Sequence, residues 1–380
     1  MQVSYWERDT FLNNNDVLII GSGIVGLNAA ICLKDLNPKL NITILERNPL
    51  PNGASTKNAG FACFGSLSEL IEDVKSNGLD EMLALVDKRW KGLQKLRKKL
   101  GDNVIDYQPL GGHEVFSSED QVLFQECIAQ IDNYNLYLKE ITSQKNVFSV
   151  ADELIEQNSL HGFSNLIRNS MEGQLHSGKM MQALMRLAQS KGVTVLNGMT
   201  VSKFEESSAH IKIFTDNGWK FKAKKVLVCT NGFTGRLFPA LEVYPARNQV
   251  IITAPIPNLK LKGSFHFDKG YVYFRNIDNR ILLGGGRNLF PKEESTDKME
   301  LTDEIQRFLE NFLKNHLLHS SVNVDIDMRW SGILGIGDKK SPIIMQYSDH
   351  IYTAVRLGGM GVAIGNLVAE EAAELLFKSL

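Results

Sequence analysis

Short runs of branched apolar residues punctuate the chain at 16–20, 41–45, 225–229 and 351–355. A strand buried on both faces reads this way. The first and last run directly into glycine-rich turns and then into helical stretches, at 27–33 and 366–376. Residues 192–196 and 201–204 also predict strands, and 211–214 with 219–221 predict a hairpin around Asp216-Asn-Gly218. In 270–275 a period of two places Tyr271, Tyr273 and Arg275 on one face, with residues 280–286 as the return strand. Ile305, Phe308, Leu309, Phe312, Leu313 and Leu317 form one stripe of a helix over 302–318. Ser66-Leu-Ser-Glu69 has capping-box spacing, and 81–100 predicts a helix stopped by Gly101.

Parallel-type strands alternating with helices, followed by alternating strands, define an α/β chain, α+β overall. With 380 residues, 43% of them hydrophobic, the chain is long enough for a sizeable core, and its length allows one large domain or two to three ordinary ones. A net charge of -1 gives nucleic acid no electrostatic handle. The basic run 95–100 fits a helix C-terminus better than a nucleic-acid patch. Cys32, Cys63, Cys127 and Cys229 are too scattered for a disulfide framework or a zinc knuckle. His316 and His319 lack Cys or carboxylate company, so no metal centre is expected. No apolar run is long enough to span a membrane and no signal-peptide core is visible, so a cytoplasmic location is expected.

The chemistry starts at Gly21-Ser-Gly23-Ile-Val-Gly26, between the first strand and its helix. Gly21 allows the tight turn and Gly23 close backbone approach to a pyrophosphate. Gly26 allows helix and strand to pack, and the helix N-terminus offers free N–H groups to phosphate. Glu46 ends the next strand, where a carboxylate accepts hydrogen bonds from ribose hydroxyls and repels a 2′-phosphate. This much indicates a dinucleotide without separating nicotinamide from flavin. A small-residue loop at 53–60, a strand ending in Thr230-Asn-Gly232 and the glycine-rich loop 356–365 favour flavin. The last of these aims a second helix N-terminus at the site, where it stabilises negative charge on a reduced flavin.

With Ser4-Tyr-Trp6, Pro245-Ala-Arg-Asn-Gln249 and Arg329-Trp-Ser-Gly332, these motifs resemble the D-amino-acid-oxidase-like (DAO) superfamily of FAD-dependent oxidoreductases. The γ-glutamylputrescine oxidase and glycine oxidase branch is the nearest in its motifs. The resemblance implies a Rossmann-like FAD-binding domain assembled from residues 1–85, 150–240 and 325–380. It implies a mostly antiparallel-sheet substrate domain from 86–149 and 241–324. The expected chemistry is oxidation of a C–N bond of a small amine or amino-acid derivative by hydride transfer to flavin N5. The residues expected at FAD are Gly21, Gly23, Ile24, Val25, Gly26, Glu46, Arg47, Ala54, Ser55, Thr56, Asn58, Ala59, Gly60, Val201, Thr230, Asn231, Gly232, Gly332, Gly358, Gly359, Met360, Gly361 and Val362. The loop 53–60 has no His and nothing after Cys229 is Cys, so the flavin is expected to be non-covalent.

Tyr271, Tyr273, Arg275 and His113 are the catalytic candidates, with His176 behind them. Many amino-acid oxidases of the superfamily place a carboxylate-clamping Arg after the Trp-x-Gly element. Here Leu334 stands at that place, which favours an amine or N-substituted amine, with any carboxylate remote from the reacting carbon and held by Arg275 or Arg287. An amino-acid oxidase recruiting Arg275 for the α-carboxylate remains the alternative within enzymes. A flavin-bound redox sensor or accessory subunit is the alternative from another class. Oligomeric state and electron acceptor stay open.

Overall fold

The structure is a computed structural model and describes residues 2–13, 15–318 and 324–380. His319 of the histidine pair lies outside the described residues. Strand Asn15–Ile20 is the centre of the first sheet, paired in parallel with Lys220–Val228 on one side and Ile42–Glu46 on the other. Ile351–Val355 and Thr194–Asn197 continue the parallel order outward, and Ile343–Gln346 closes one edge antiparallel. Val17 and Ile19 pack beneath helices Ile24–Leu36 and Gly361–Phe377, while Leu18 and Ile20 pack in the opposite layer with Ile211, Ile213 and Phe221. Both faces are therefore covered, which explains the unbroken apolar run.

One element differs from its sequence reading. The hairpin of Ile211–Thr215 around Asp216-Asn-Gly218 forms, but its second arm does not end at 221: it runs on into the buried segment as a single strand, Lys220–Val228. Its first half alternates between exposed and buried beside Ile211–Thr215, and its second half is buried at the sheet centre. The change of period occurs within one strand as it passes from edge to centre.

The second sheet runs Ile326–Ile336, Tyr244–Thr253, Arg280–Gly285, Val272–Ile277, Ser264–Phe267, Gly112–Phe116, Asn165–Asn169 and Phe148–Val150. Every pairing is antiparallel except Ser264–Phe267 with Gly112–Phe116. Helix Asp303–Phe312 lays Ile305, Leu309 and Phe312 on this sheet. The expected segment boundaries do not coincide with the sheets. Asn165–Asn169 and Ile326–Ile336 join the second sheet although they fall in segments assigned to the cofactor domain. Helix Leu79–Leu100 crosses the 85/86 boundary and packs on Gly361–Phe377 so closely that a Cβ on Gly92 would lie 2.3 Å from the Ala363 carbonyl oxygen.

The capping box at Ser66 does not form. Ser66 Oγ and Ser68 Oγ both donate to the buried Glu114 carboxylate, and Glu69 turns toward Arg89 and Lys340. Satisfying a buried carboxylate outweighs a cap worth about 1 kcal/mol.

His113 is 3% exposed, stacks on Phe265 and shares a hydrogen bond between Nδ1 and the Ser264 carbonyl. Burial pushes it down to about 4. The unfolded chain takes up this proton below about pH 6.5 and the folded chain only near 4. Stability is therefore lost as pH falls through that window, by about 2 kcal/mol at pH 5 from this residue. Comparing denaturant midpoints at pH 7 and pH 5, His113→Gln is expected to shrink the acid-induced loss. An identical loss in both proteins contradicts the assignment.

Candidate active site

The two sheets meet along one continuous cavity of about 730 Å³. The turn after the central strand forms one end. Gly21 has φ +100°, and a Cβ there would lie 2.9 Å from the Cys229 carbonyl oxygen. Glu46 accepts from Ser22 N at 3.1 Å and Ser22 Oγ at 2.7 Å, fixing the turn against the second strand. Ser55 Oγ accepts from Ile24 N at 3.0 Å, so the loop around residues 53–60 docks on the helix N-terminus. Arg47 stacks on Phe233 at 3.7 Å, and Arg236 approaches the same ring at 5.3 Å.

The middle of the cavity is lined by backbone from three glycine-bearing segments. Asn231, in the left-handed region at φ +44°, uses Oδ1 to accept from Arg356 N and Leu357 N. That pair of bonds holds the loop before helix Gly361–Phe377, whose N-terminus carries no side-chain cap and lines the cavity. Free N–H groups there meet an electron-rich ligand favourably. A Cβ on Gly332 would lie 2.8 Å from Lys57 Cβ.

The far end belongs to the second sheet. Phe61 packs edge-on against His266 at 5.1 Å and Tyr273 at 5.8 Å. Arg287 lies 5.1 Å from the Tyr271 ring, and its side chain makes no hydrogen bond or ion pair among the described residues. Leu334 lines the wall at the place where an Arg was expected. Burial raises the Tyr273 phenol to about 12, so it remains a proton donor at physiological pH, and burial pushes His266 down to about 4. At the mouth, Lys340 bridges Glu69 at 3.1 Å and Asp73 at 2.6 Å.

Most residues expected at the cofactor line this cavity; Gly26, Thr56 and Gly60 do not. Gly26 lies beneath the turn, where a Cβ would come 2.0 Å from the Gly21 carbonyl oxygen. Thr56 Oγ1 donates to the Pro51 carbonyl at 2.6 Å. Gly60 faces Leu175 and Arg275. Gly26→Ala is expected to force the turn open at about 1–3 kcal/mol and to lower the flavin-to-protein ratio after gel filtration. A wild-type ratio would contradict this.

Two catalytic candidates are placed elsewhere. His113 is in the core of the second sheet, outside the main cavity. Arg275 shares the face of Tyr273, but its Nη1 donates to the carbonyls of Ala59 at 3.0 Å, Gly60 at 3.1 Å and Leu175 at 2.8 Å. It clamps the loop and is not among the residues that line the cavity. His176 caps helix Ser177–Ser190 by accepting from Lys179 N. Sequence reasoning missed His266 in the cavity wall. Its signal was present in Ser264-Phe-His-Phe267, where a period of two sets the His opposite both phenylalanines.

The sequence profile of the FAD-dependent oxidoreductase family, DAO, matches residues 16–375, and the chain belongs to this family. It is 24% identical over 371 residues to a Rhizobium meliloti protein named "Probable oxidoreductase OrdL", covering 95% of this chain and 82% of that one. Glycine oxidase from Geobacillus kaustophilus superposes with a TM-score of 0.75 at 18% identity, covering 97% of this chain and 95% of that one. Iminodiacetate oxidase from Chelativorans sp. BNC1 gives 0.75 at 18%, covering 95% of each chain. The family's cofactor is FAD, and the donor set fits it: a glycine turn against a strand-end carboxylate, and an uncapped helix N-terminus at the cavity centre. Among the described residues no helix is long and apolar enough to cross a membrane.

Proposed function

We propose that the protein oxidises a C–N bond of a small amine or amino-acid derivative that carries a carboxylate. Bound along the cavity, FAD supplies the acceptor for the hydride leaving the carbon next to nitrogen. Gly21, Gly23, Glu46 and Ser55 would hold its dinucleotide portion, and Thr230 to Gly232 with Gly358 to Val362 the remainder. No side chain of loop 53–60 offers the His of a covalent link, so the cofactor is held by these contacts alone.

The observation that carries the substrate reading is Arg287, a guanidinium in the cavity wall without an anionic partner among the described residues. A substrate carboxylate completes it as a charge-assisted, bidentate pair. Leu334 and Phe61 shape the apolar part, and the Tyr273 hydroxyl donates to a substrate oxygen. His266 stays neutral at pH 7, so the ammonium proton leaves to solvent rather than to this ring. Glycine and iminodiacetate, named for two structural neighbours, are both small amines bearing carboxylates.

Anaerobic titration of the flavin with an N-substituted glycine and with its methyl ester tests this reading. The acid is expected to reduce the flavin with at least ~100-fold tighter apparent binding. An ester that performs as well as the acid removes Arg287 from substrate binding.

A further inference from the structure

One cluster in the cavity wall is used neither by the cofactor segments nor by Arg287. Cys63, Glu172 and His266 bring a thiol sulfur, a carboxylate oxygen and a ring nitrogen within 4.8 Å of one another, all three residues buried. They come from distant parts of the chain. Cys63 follows the short strand Phe61–Ala62, Glu172 precedes its partner Gly173–Gln174, and His266 lies in Ser264–Phe267 of the second sheet. Cys63 and His266 face the main cavity, with Glu172 behind them.

The geometry argues against an ordinary hydrogen-bonded core cluster. Glu172 Oε1 accepts from the backbone N–H groups of Phe64 at 2.8 Å and Gly65 at 3.0 Å, which fixes the carboxylate. Its Oε2 lies 3.9 Å from His266 Nε2, too far for a hydrogen bond. A Cβ on Gly112 would come 2.0 Å from that Oε2, so the absence of a side chain at 112 makes room for it. His266 is 7% exposed and its buried Nε2 has no partner, a deficit worth about 1–3 kcal/mol. Phe61 holds the imidazole edge-on. Donors this close with no bond between His266 and Glu172 leave a gap that a proton does not bridge and a metal ion does.

Bond lengths agree with that reading. Zinc bonds sulfur at about 2.3 Å and nitrogen or oxygen at about 2.0–2.2 Å, so tetrahedral donors sit roughly 3.3–3.7 Å apart. Closing from 4.8 Å asks for side-chain shifts of about 1 Å. We propose that Cys63, Glu172 and His266 form a site for a borderline-soft divalent cation such as Zn²⁺, with its fourth position open to the cavity. Thiolate with imidazole selects such a cation over Mg²⁺ or Ca²⁺, which take oxygen ligands. As the metal bonds form, the Cys63 thiol and the Glu172 carboxyl, which burial favours in its protonated form, each release a proton to solvent and bind as thiolate and carboxylate. The site does not depend on which amine the protein oxidises.

The test uses the tag-free flavoprotein after chelator treatment. Calorimetry with Zn²⁺ is expected to give one equivalent, and Co²⁺ to give tetrahedral ligand-field absorption at wavelengths beyond the flavin bands. Cys63→Ser and His266→Gln are each expected to weaken Zn²⁺ binding by at least ~100-fold, since loss of mere outer-shell partners already costs 10–100-fold. His176→Gln, remote from the site, is expected to bind as wild type. X-ray absorption of the zinc-loaded wild-type protein checks the ligands without any variant. One sulfur at about 2.3 Å with nitrogen or oxygen neighbours supports the site. Absence of stoichiometric binding, a coordination shell without sulfur, or equal binding by Cys63→Ser overturns it.

Discussion

Arg275→Ala yields a protein that loses both stability and flavin, even when substrate is absent. In the native protein this guanidinium is 5% exposed and makes no ion pair among the described residues; burial lowers it to about 10, against the opposing pull of Asp106 and Asp278. It persists because Nη1 gathers the carbonyls of Ala59, Gly60 and Leu175 while Nε donates to the Asn276 carbonyl. Those carbonyls belong to the cofactor loop and to the segment that lies against it, so one side chain sets the position of a cavity wall. Truncation leaves the Ala59 and Leu175 carbonyls without a donor in the interior, at about 1–3 kcal/mol each, while the Gly60 carbonyl keeps the Leu175 N–H at 2.8 Å; the cost is partly offset because no charge has to be buried. A net loss of about 3 kcal/mol is expected, read as a lower denaturant midpoint and faster flavin release. Arg275→Lys recovers part of it, since an ammonium reaches fewer carbonyls at once. If Arg275→Ala keeps its stability and flavin and only weakens substrate binding, Arg275 belongs in the pocket after all.

Arg287→Ala behaves in the opposite way. The side chain is bound by no hydrogen bond or ion pair among the described residues, and its one contact of note is the Tyr271 ring at 5.1 Å. Stability and flavin content are expected to stay near wild type. Apparent affinity for carboxylate-bearing amines falls by about 2–4 kcal/mol, roughly 30- to 1000-fold, because a charge-assisted pair in the cavity wall is lost. Amines without a carboxylate are affected little. Arg287→Lys restores only part, since an ammonium lacks the planar fork. Anaerobic flavin-reduction titrations of the two Arg variants separate a loop clamp from an anion partner. Equal losses for charged and uncharged amines in Arg287→Ala would show that the residue shapes the cavity without pairing with substrate.

The contrast between these two arginines shows where the sequence is informative. Periodicity correctly places Arg275 on the face of Tyr273, because alternation is a local property of a strand. What lies above that face is not local: Ala59 and Leu175 are brought there by the meeting of two sheets. The same limit explains Ser66, whose hydroxyl is taken by Glu114 from a distant strand. The first strand, its glycine turn and Glu46 are legible because turn, helix N-terminus and strand end are contiguous requirements of one motif. The strand Lys220–Val228 reads as two elements because it changes environment midway. The domain boundaries are least legible, since Ile326–Ile336 pairs in the second sheet while its Gly332 and Leu334 line the shared cavity.

The central claim is that the cavity binds FAD and passes it electrons from a carboxylate-bearing amine. It is tested most directly by the visible spectrum of the purified protein, recorded anaerobically before and after adding a panel of amines and amino acids. The account predicts a two-banded flavin spectrum that bleaches with members carrying both a C–H next to nitrogen and a carboxylate. A protein that binds no flavin even when FAD is added, or a bound flavin that no such amine bleaches, contradicts it.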